Sequence, residues 1–425
     1  MLRRRPSRRA LLIALAVVLL LAAGIAAAAI YYALRKPPEG GLVAPTGVTV
    51  VTRDTTPVRP PPKPPPKPPK PRPAELPCWR EFGGSPLREL SRADIRLGIP
   101  KRSAWARGMG DLMEFPPVFC AGRLFVNLER GKTVAVDAET GKTIWTRRST
   151  DRIASSPAIA GENIVVTSFA GTVTALRRSD GRLAWQLRTG AIVESSPVAV
   201  DGVVYVGITD GRLFALDADT GRTKWVYDLR GRINSSPSVI GGLVCTTTYS
   251  GEVACLRRRD GHLVWSHYYK RDTFRYESFY SSPSSDGRRL FAVARTGRLL
   301  ALDARTGDTL WTYHTGALTY ATVAVAAGRA YAVDLSGDVD ALRAGDGRLL
   351  WRTHVPGRIL APALVVGDLV FFSTLEGTTY AARARDGKIV WHIRAGKYAP
   401  GIATKERYYL SLNGLLAAFT GTRGG

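Results

Sequence analysis

Two hydrophobic patterns divide this 425-residue chain. From Ala10 to Leu34, twenty-five consecutive residues carry no charge. At ~1.5 Å per helical residue such a run crosses a ~30 Å hydrocarbon layer with some tilt. Past Trp105 the pattern changes to short, β-rich apolar runs such as 203–207, 213–217 and 369–373, separated by glycine turns. No helical period interrupts them. Four short strands every forty residues is the pattern of a propeller blade.

The period is carried by tryptophan. Trp105, Trp145, Trp185, Trp225, Trp265, Trp311, Trp351 and Trp391 are spaced by 40 residues except for one gap of 46. From Trp145 onward a glycine stands four residues before each Trp, closing turns such as Asp137–Gly141, Asp217–Gly221 and Asp303–Gly307. These are hairpin turns in which glycine supplies φ > 0. Ten residues before each of these Trp lies a small residue, Ala135, Ala175, Ala215, Cys255, Ala301, Ala341 or Ala381, leaving room for an indole on the neighbouring strand. Ser155-Ser156-Pro157, Ser195-Ser196-Pro197 and Ser235-Ser236-Pro237 open three of the units.

The motif A-x-D-x-x-T-G-x-x-x-W with its Ser-Ser-Pro opening resembles the quinoprotein (PQQ-like) repeat, from about Trp105 to the C-terminus. The resemblance implies an all-β, eight-bladed β-propeller of four-stranded antiparallel blades, with each Trp docked against the Ala and Gly of its own motif. The last unit, with strands around 400–403, 408–412 and 415–419, lacks a Trp. The Trp105 strand is expected to fill that place and close the ring, leaving no open edge. In type the chain is closest to the non-catalytic BamB-like propellers, but no lipobox cysteine follows the apolar run and a proline spacer intervenes.

The N-terminus sets the topology. Five arginines precede the apolar run and Arg35-Lys36 follow it, predicting the N-terminus inside and the rest outside. A retained single-pass membrane anchor is the reading preferred. The competitor is a cleaved signal peptide, cut near Ala26–Ala29, with Ser7–Leu12 similar to a twin-arginine signal. Both export the remainder. Pro57–Pro73, with its repeated prolines, forms neither helix nor sheet and extends about 50 Å as polyproline II. The predicted division is 1–36 basic tip and anchor, 37–74 Pro-rich linker, 75–104 N-terminal extension and 105–425 propeller. The net charge of +25 invites a nucleic-acid partner, yet 1–74 alone holds 13 basic against 2 acidic residues. That part reads as a topology signal and cationic spacer, and an exported chain is expected to have no nucleic-acid partner.

No CxxC, HxxxH, GxSxG or phosphate-loop motif occurs, so no metal and no cofactor is expected. The resemblance raises one enzyme, a PQQ-dependent (quinoprotein) dehydrogenase. It is the alternative here, because vicinal cysteines and long active-site insertions are missing. The preferred function is a binding or scaffold module, monomeric, for an envelope protein, peptide or anionic wall polymer. Ligands of propellers favour the funnel mouth. Three residues before the Ser-Ser-Pro proline, or its aligned position, the repeat leaves Glu114, Ala154, Glu194, Asn234, Tyr280, Tyr320, Ile359 and Lys397 unconstrained. They form either a polar binding ring or a solvated rim. The six-residue insertion lies in 268–280, where Tyr268, Tyr269, Phe274 and Tyr276 interleave with Arg271 and Arg275. It is either an interface loop or a self-packed cap. Cys245 and Cys255 lie on one hairpin, within reach of a disulfide outside the cytoplasm, or are plain buried thiols. Cys78 and Cys120 can pin the extension to the first blade.

Overall fold

The computed structural model describes residues 40–43, 49–52 and 78–422, apart from 154, 400 and 413. The uncharged run 10–34 and the prolines of 57–73 lie outside the described residues. Among the described residues no helix is long and apolar enough to cross a membrane.

Eight antiparallel sheets form the blades of one ring. In blade 3 the strands run from the channel outward as Val198–Val200, Val203–Gly207, Arg212–Asp217 and Thr223–Asp228. Blade 8 is assembled from both ends of the repeat region. Ile402–Ala403, Tyr408–Leu412 and Leu415–Thr422 are its inner three strands, and Ile99–Gly108 is its outermost. The Trp105 strand therefore closes the ring. The hydrophobic cores lie between blades: Val165 and Ala175 of blade 2, for example, pack with Val204, Val206 and Phe214 of blade 3.

The tryptophans explain how neighbouring blades hold together. Each stands opposite the expected small residue of its own blade, as Trp145 opposite Ala135 and Trp265 opposite Cys255. The glycine, however, belongs to the next blade, which corrects the own-motif docking implied by the resemblance. The Trp105 ring lies so close to Gly141 (φ +72°) that a Cβ there would come within 2.7 Å of it. The indole N–H then donates to a carbonyl of the same next blade, Trp105 to Ala138 at 3.1 Å and Trp185 to Ala218 at 2.9 Å. Turn and indole thus form a latch at seven junctions, from blades 8 and 1 round to blades 6 and 7.

Three short strands are described ahead of the ring, of which Ser91–Arg92 pairs in parallel with the inner strand of blade 7. Gly41–Leu42 pairs with the outer strand of blade 3 and Thr49–Thr52 with that of blade 2. The linker region thus contributes two edge strands. The chain passes backward around the rim, from blade 3 to blade 2, before reaching blade 1, where Cys78 is disulfide-bonded to Cys120. Cys245 and Cys255, directly opposite on adjacent strands of blade 4, form the second disulfide.

Candidate functional site

The Ser-Ser-Pro openings build a rigid collar around the channel. The first serine ties its own blade: Ser195 Oγ donates to the Gly207 carbonyl at 2.7 Å and accepts the Gly207 N–H at 3.1 Å. The second serine ties blade to blade. Ser156 N–H donates to Ser196 Oγ (3.0 Å), Ser196 N–H to Ser236 Oγ (2.8 Å), Ser236 N–H to Ser282 Oγ (2.9 Å) and Ser282 N–H to Thr322 Oγ1 (3.1 Å). Glu194, Asn234 and Tyr280 each immediately precede such a fixed serine pair, so their backbone positions are set by the collar.

Residues 79–92 thread the channel from the side of the first interstrand turns. The innermost strand of a propeller blade has one unpaired edge, whose N–H groups need partners. This segment supplies a partner to each of blades 1 to 7 in turn. Phe119 N–H donates to Trp79 O (2.9 Å), Ile159 N–H to Arg80 O (2.7 Å), Val239 N–H to Pro86 O (2.7 Å), Ser285 N–H to Leu87 O (2.9 Å), Val325 N–H to Glu89 O (2.8 Å) and Val365 N–H to Leu90 O (2.9 Å). Blade 3 is served by a side chain, Ala199 N–H donating to Glu81 Oε2 at 3.3 Å.

Two charged residues of this plug are fully buried. Arg88 donates to the carbonyls of Phe82 (2.7 Å), Ser196 (2.9 Å) and Pro197 (3.2 Å), and its Nε to that of Pro237. Burial lowers Arg88 to about 10, against the opposing pull of Glu81. Burial raises the Glu81 carboxyl to about 7, partly offset by Arg88. The turn that brings the plug back on itself requires Gly83 (φ +86°), where a Cβ would meet the Arg88 Cα at 2.6 Å.

Above the plug lies a cavity of about 540 Å³ with Trp79, Phe82 and Leu90 among its lining. Glu114, Glu194, Asn234, Tyr280 and Tyr320 also line it. The Asn234 amide donates to Glu194 Oε2. Tyr280 and Tyr320 meet edge to face with centroids 5.6 Å apart. Burial raises the Glu114 carboxyl, as do the carboxylates of Glu129 and Glu194, against the lowering pull of Arg152. Burial, followed by Glu194 and Glu114, pushes the Tyr280 phenol up to about 12.

Residues 89–313 and 314–424, most of the chain, match the family of the outer membrane protein assembly factor BamB. The chain belongs to the BamB family. Its fold is similar to that of BamB from Moraxella catarrhalis, at 18% identity and TM-score 0.62 over 76% of this chain and 98% of that one. A europium-containing methanol dehydrogenase is similar at 14% identity and TM-score 0.67, over 78% and 87% of the two chains. The quinohemoprotein alcohol dehydrogenase from Comamonas testosteroni is similar at 13% identity and TM-score 0.66, over 81% and 80%. At these identities the likeness is one of fold. No curated protein sequence matches the chain.

In this BamB-family ring the other residues singled out from sequence lie apart from the cavity. Lys397 is exposed, and its neighbour Tyr398 lines the cavity instead. Ile359 is buried among core residues of blades 6 and 7, and Leu360 takes the ring position. The insertion packs on itself. Tyr268 donates to Glu252 at 2.9 Å and meets Tyr276 edge to face, while Tyr269 packs on Phe279. Asp272 accepts the N–H groups of Phe274 and Arg275, both at 2.9 Å, and pairs with the Arg275 guanidinium at 2.8 Å. Phe274 (61% exposed) and Arg271 project into solvent. The sequence reading missed the whole plug, together with Arg152, Phe169 and Tyr398. A second, more open recess of about 600 Å³ lies at the seam of blades 8 and 1, lined by Arg107, Lys132, Arg147 and Arg148.

Proposed function

We propose that this chain is a membrane-anchored, extracytoplasmic, non-catalytic binding module that takes an envelope protein or peptide at the mouth of its central cavity. The observation that carries this reading is the plugged collar. Backbone positions around the cavity are fixed by repeat residues, whereas the side chains facing it are the ones the repeat leaves free. The cavity's volume is that of a small-ligand or peptide-anchor site, mostly apolar with a few polar groups. The uncharged run with its arginine bias supports the anchor, and two disulfides suit an oxidising compartment. The basic recess at the blade 8–1 seam supports an anionic wall polymer as a further partner.

The likeness to quinoprotein dehydrogenases favours a second reading, a PQQ-dependent dehydrogenase. The lining residues do not fit that cofactor. The quinone carries three carboxylates, and the cavity offers Glu114 and Glu194 against the single cation Arg152. Among the described residues no three His, Cys, Asp or Glu side chains converge to hold a metal ion beside it. Dye reduction with alcohols in the presence of the quinone and calcium would establish the enzyme reading.

Photo-crosslinking from a benzoylphenylalanine at Tyr280 in cells tests the binding reading, with the same group at Phe274 for comparison. A crosslinked partner at position 280 and a weaker or different set at 274 is expected. No crosslink at 280 in a folded, exported chain would retire the cavity as the site. Resistance to carbonate extraction checks the anchor.

A further inference from the structure

The walls of the cavity differ in chemistry around the ring. Blades 1 and 3 present carboxylates, Glu114 and Glu194, and the blade 4 position presents the Asn234 amide. Blades 5, 6 and 8 present the rings of Tyr280, Tyr320 and Tyr398. Arg152 is the sole cation of the lining, and it is engaged elsewhere: it ion-pairs with Glu129 and stacks over the Phe169 ring at 5.4 Å. Two carboxylates therefore share a partly dehydrated cavity whose one lining cation is already paired with Glu129, inside a chain whose net charge is +25. Two further groups want partners. Asn234 Oδ1 is a buried acceptor, and the indole N–H of Trp79, a residue 1% exposed in the cavity lining, is a buried donor; neither has a hydrogen-bond partner among the described residues.

We propose that the cavity receives a primary ammonium on an aliphatic stem, with its charge between Glu114 and Glu194 and its stem against Tyr280, Tyr320 and Tyr398. The proposal rests on the reading of the cavity as the binding site and names the ligand class it takes. An ammonium brings three donors to three acceptors, the two carboxylates and Asn234 Oδ1. Tyrosine faces favour a cation, and the stem replaces water on apolar surface. A neutral sugar also stacks on aromatic rings but leaves the paired carboxylates uncompensated. An anion is repelled by both. The Trp79 N–H of the same lining calls for an acceptor, which a peptide carbonyl supplies and a free diamine does not. The lysine side chain of a partner protein is therefore the favoured source of the ammonium.

Calorimetric titration of the purified full-length chain tests this with four probes: the capped peptide acetyl-Gly-Lys-Gly-amide, its Nζ-acetylated form, 1,5-diaminopentane, and a neutral N-acetylglucosamine trimer. The lysine peptide should bind, and acetylation of its ammonium should weaken binding about tenfold or more. Glu194→Gln keeps an acceptor for the Asn234 amide, and both it and Glu114→Gln should cut affinity for the lysine peptide by a similar factor at unchanged melting temperature. Tighter binding of the peptide than of the diamine assigns a protein side chain, and the reverse assigns a free polyamine. Equal binding of the acetylated peptide, preference for the sugar, or unchanged affinity in both variants overturns the cation assignment. If all probes fail while position 280 still crosslinks a partner, the ligand class is wrong and the cavity stands. If the crosslink also fails, the site itself is wrong.

Discussion

Glu81 offers a direct test of the plug, because its carboxyl is fully buried beside the channel and titrates near neutrality. The perturbation is Glu81→Gln, which keeps the shape and an oxygen to accept the Ala199 N–H. Below the ordinary value of 4.5 the group is protonated in both folded and unfolded chains and has no effect on the balance. Between 4.5 and about 7 the unfolded chain releases the proton while the folded chain retains it, so stability falls as pH rises. Above about 7 the loss is complete. Each pH step in that window costs about 1.4 kcal/mol, so the whole window amounts to about 3 kcal/mol. The glutamine cannot titrate and escapes this loss. Other groups titrate alike in both proteins and cancel in the difference. Glutamine also leaves Arg88 without its neighbouring charge, an effect that adds a constant of either sign, because Arg88 titrates near 10. The assay is guanidinium unfolding followed by tryptophan fluorescence, at steps from pH 4.5 to 8.5. The difference between variant and parent should shift by about 3 kcal/mol in favour of the variant across that range. A difference that stays flat with pH would mean that Glu81 is solvated and the plug is not seated in the channel.

Three other changes probe the plug and the latch. Arg88→Met strands the carbonyls of Phe82, Ser196, Pro197 and Pro237, and should cost about 3–5 kcal/mol in thermal or chemical unfolding. Arg88→Lys should recover only part of this, since one ammonium cannot span the same set. Gly141→Ala forces a Cβ to within 2.7 Å of the Trp105 ring, with φ at +72°, and should cost about 2–3 kcal/mol. Gly287→Ala shares a positive φ (+89°) but has open space, and should lose about half as much. Faster hydrogen exchange along Ile99–Gly108 should accompany the Gly141 change alone. Replacing Cys78 and Cys120 together by serine opens a loop with a sequence separation of 42 and should remove up to about 4 kcal/mol, read as the shift in unfolding midpoint.

The blades were legible because each repeats a local constraint: a glycine where φ must be positive, a small residue opposite an indole, and a serine pair that ties strand ends. The contact of each Trp with the following blade was not legible for the same reason. A motif repeating every forty residues has the same internal spacings whether a partner lies in its own unit or the next. Blade 7 misled by a single residue, because Pro362 stands where Ser236 stands in blade 4. Counting back from that proline falls on the buried Ile359, and Leu360 is the residue that reaches the cavity. The plug carried no period at all. Glu81 and Arg88 look in sequence like ordinary surface charges, and only the unpaired inner edges and the Ser-Pro carbonyls of a closed ring give them a reason to be buried.

The plug also changes what the ring can do. A bare eight-bladed ring is nearly symmetric, its channel open at two faces and its inner strand edges short of partners. One segment, pinned by Cys78 to Cys120, pairs those edges on blades 1 to 7 and closes one face. What remains is a cup with a single mouth, whose floor comes from outside the repeat and whose walls come from the one position the repeat does not dictate. Hydroxyls fix the collar across blades 2 to 6, and the wall residues differ in a coherent way. Carboxylates and an amide gather on blades 1, 3 and 4, and tyrosines on blades 5, 6 and 8. A rim that served only to hydrate buried carbonyls would have no need to hold carboxylates on one arc of this position and phenols on another. The segregation is what a ligand with a charged end and an apolar stem requires, and it ties the chemistry of this site to its sequence more closely than the fold does.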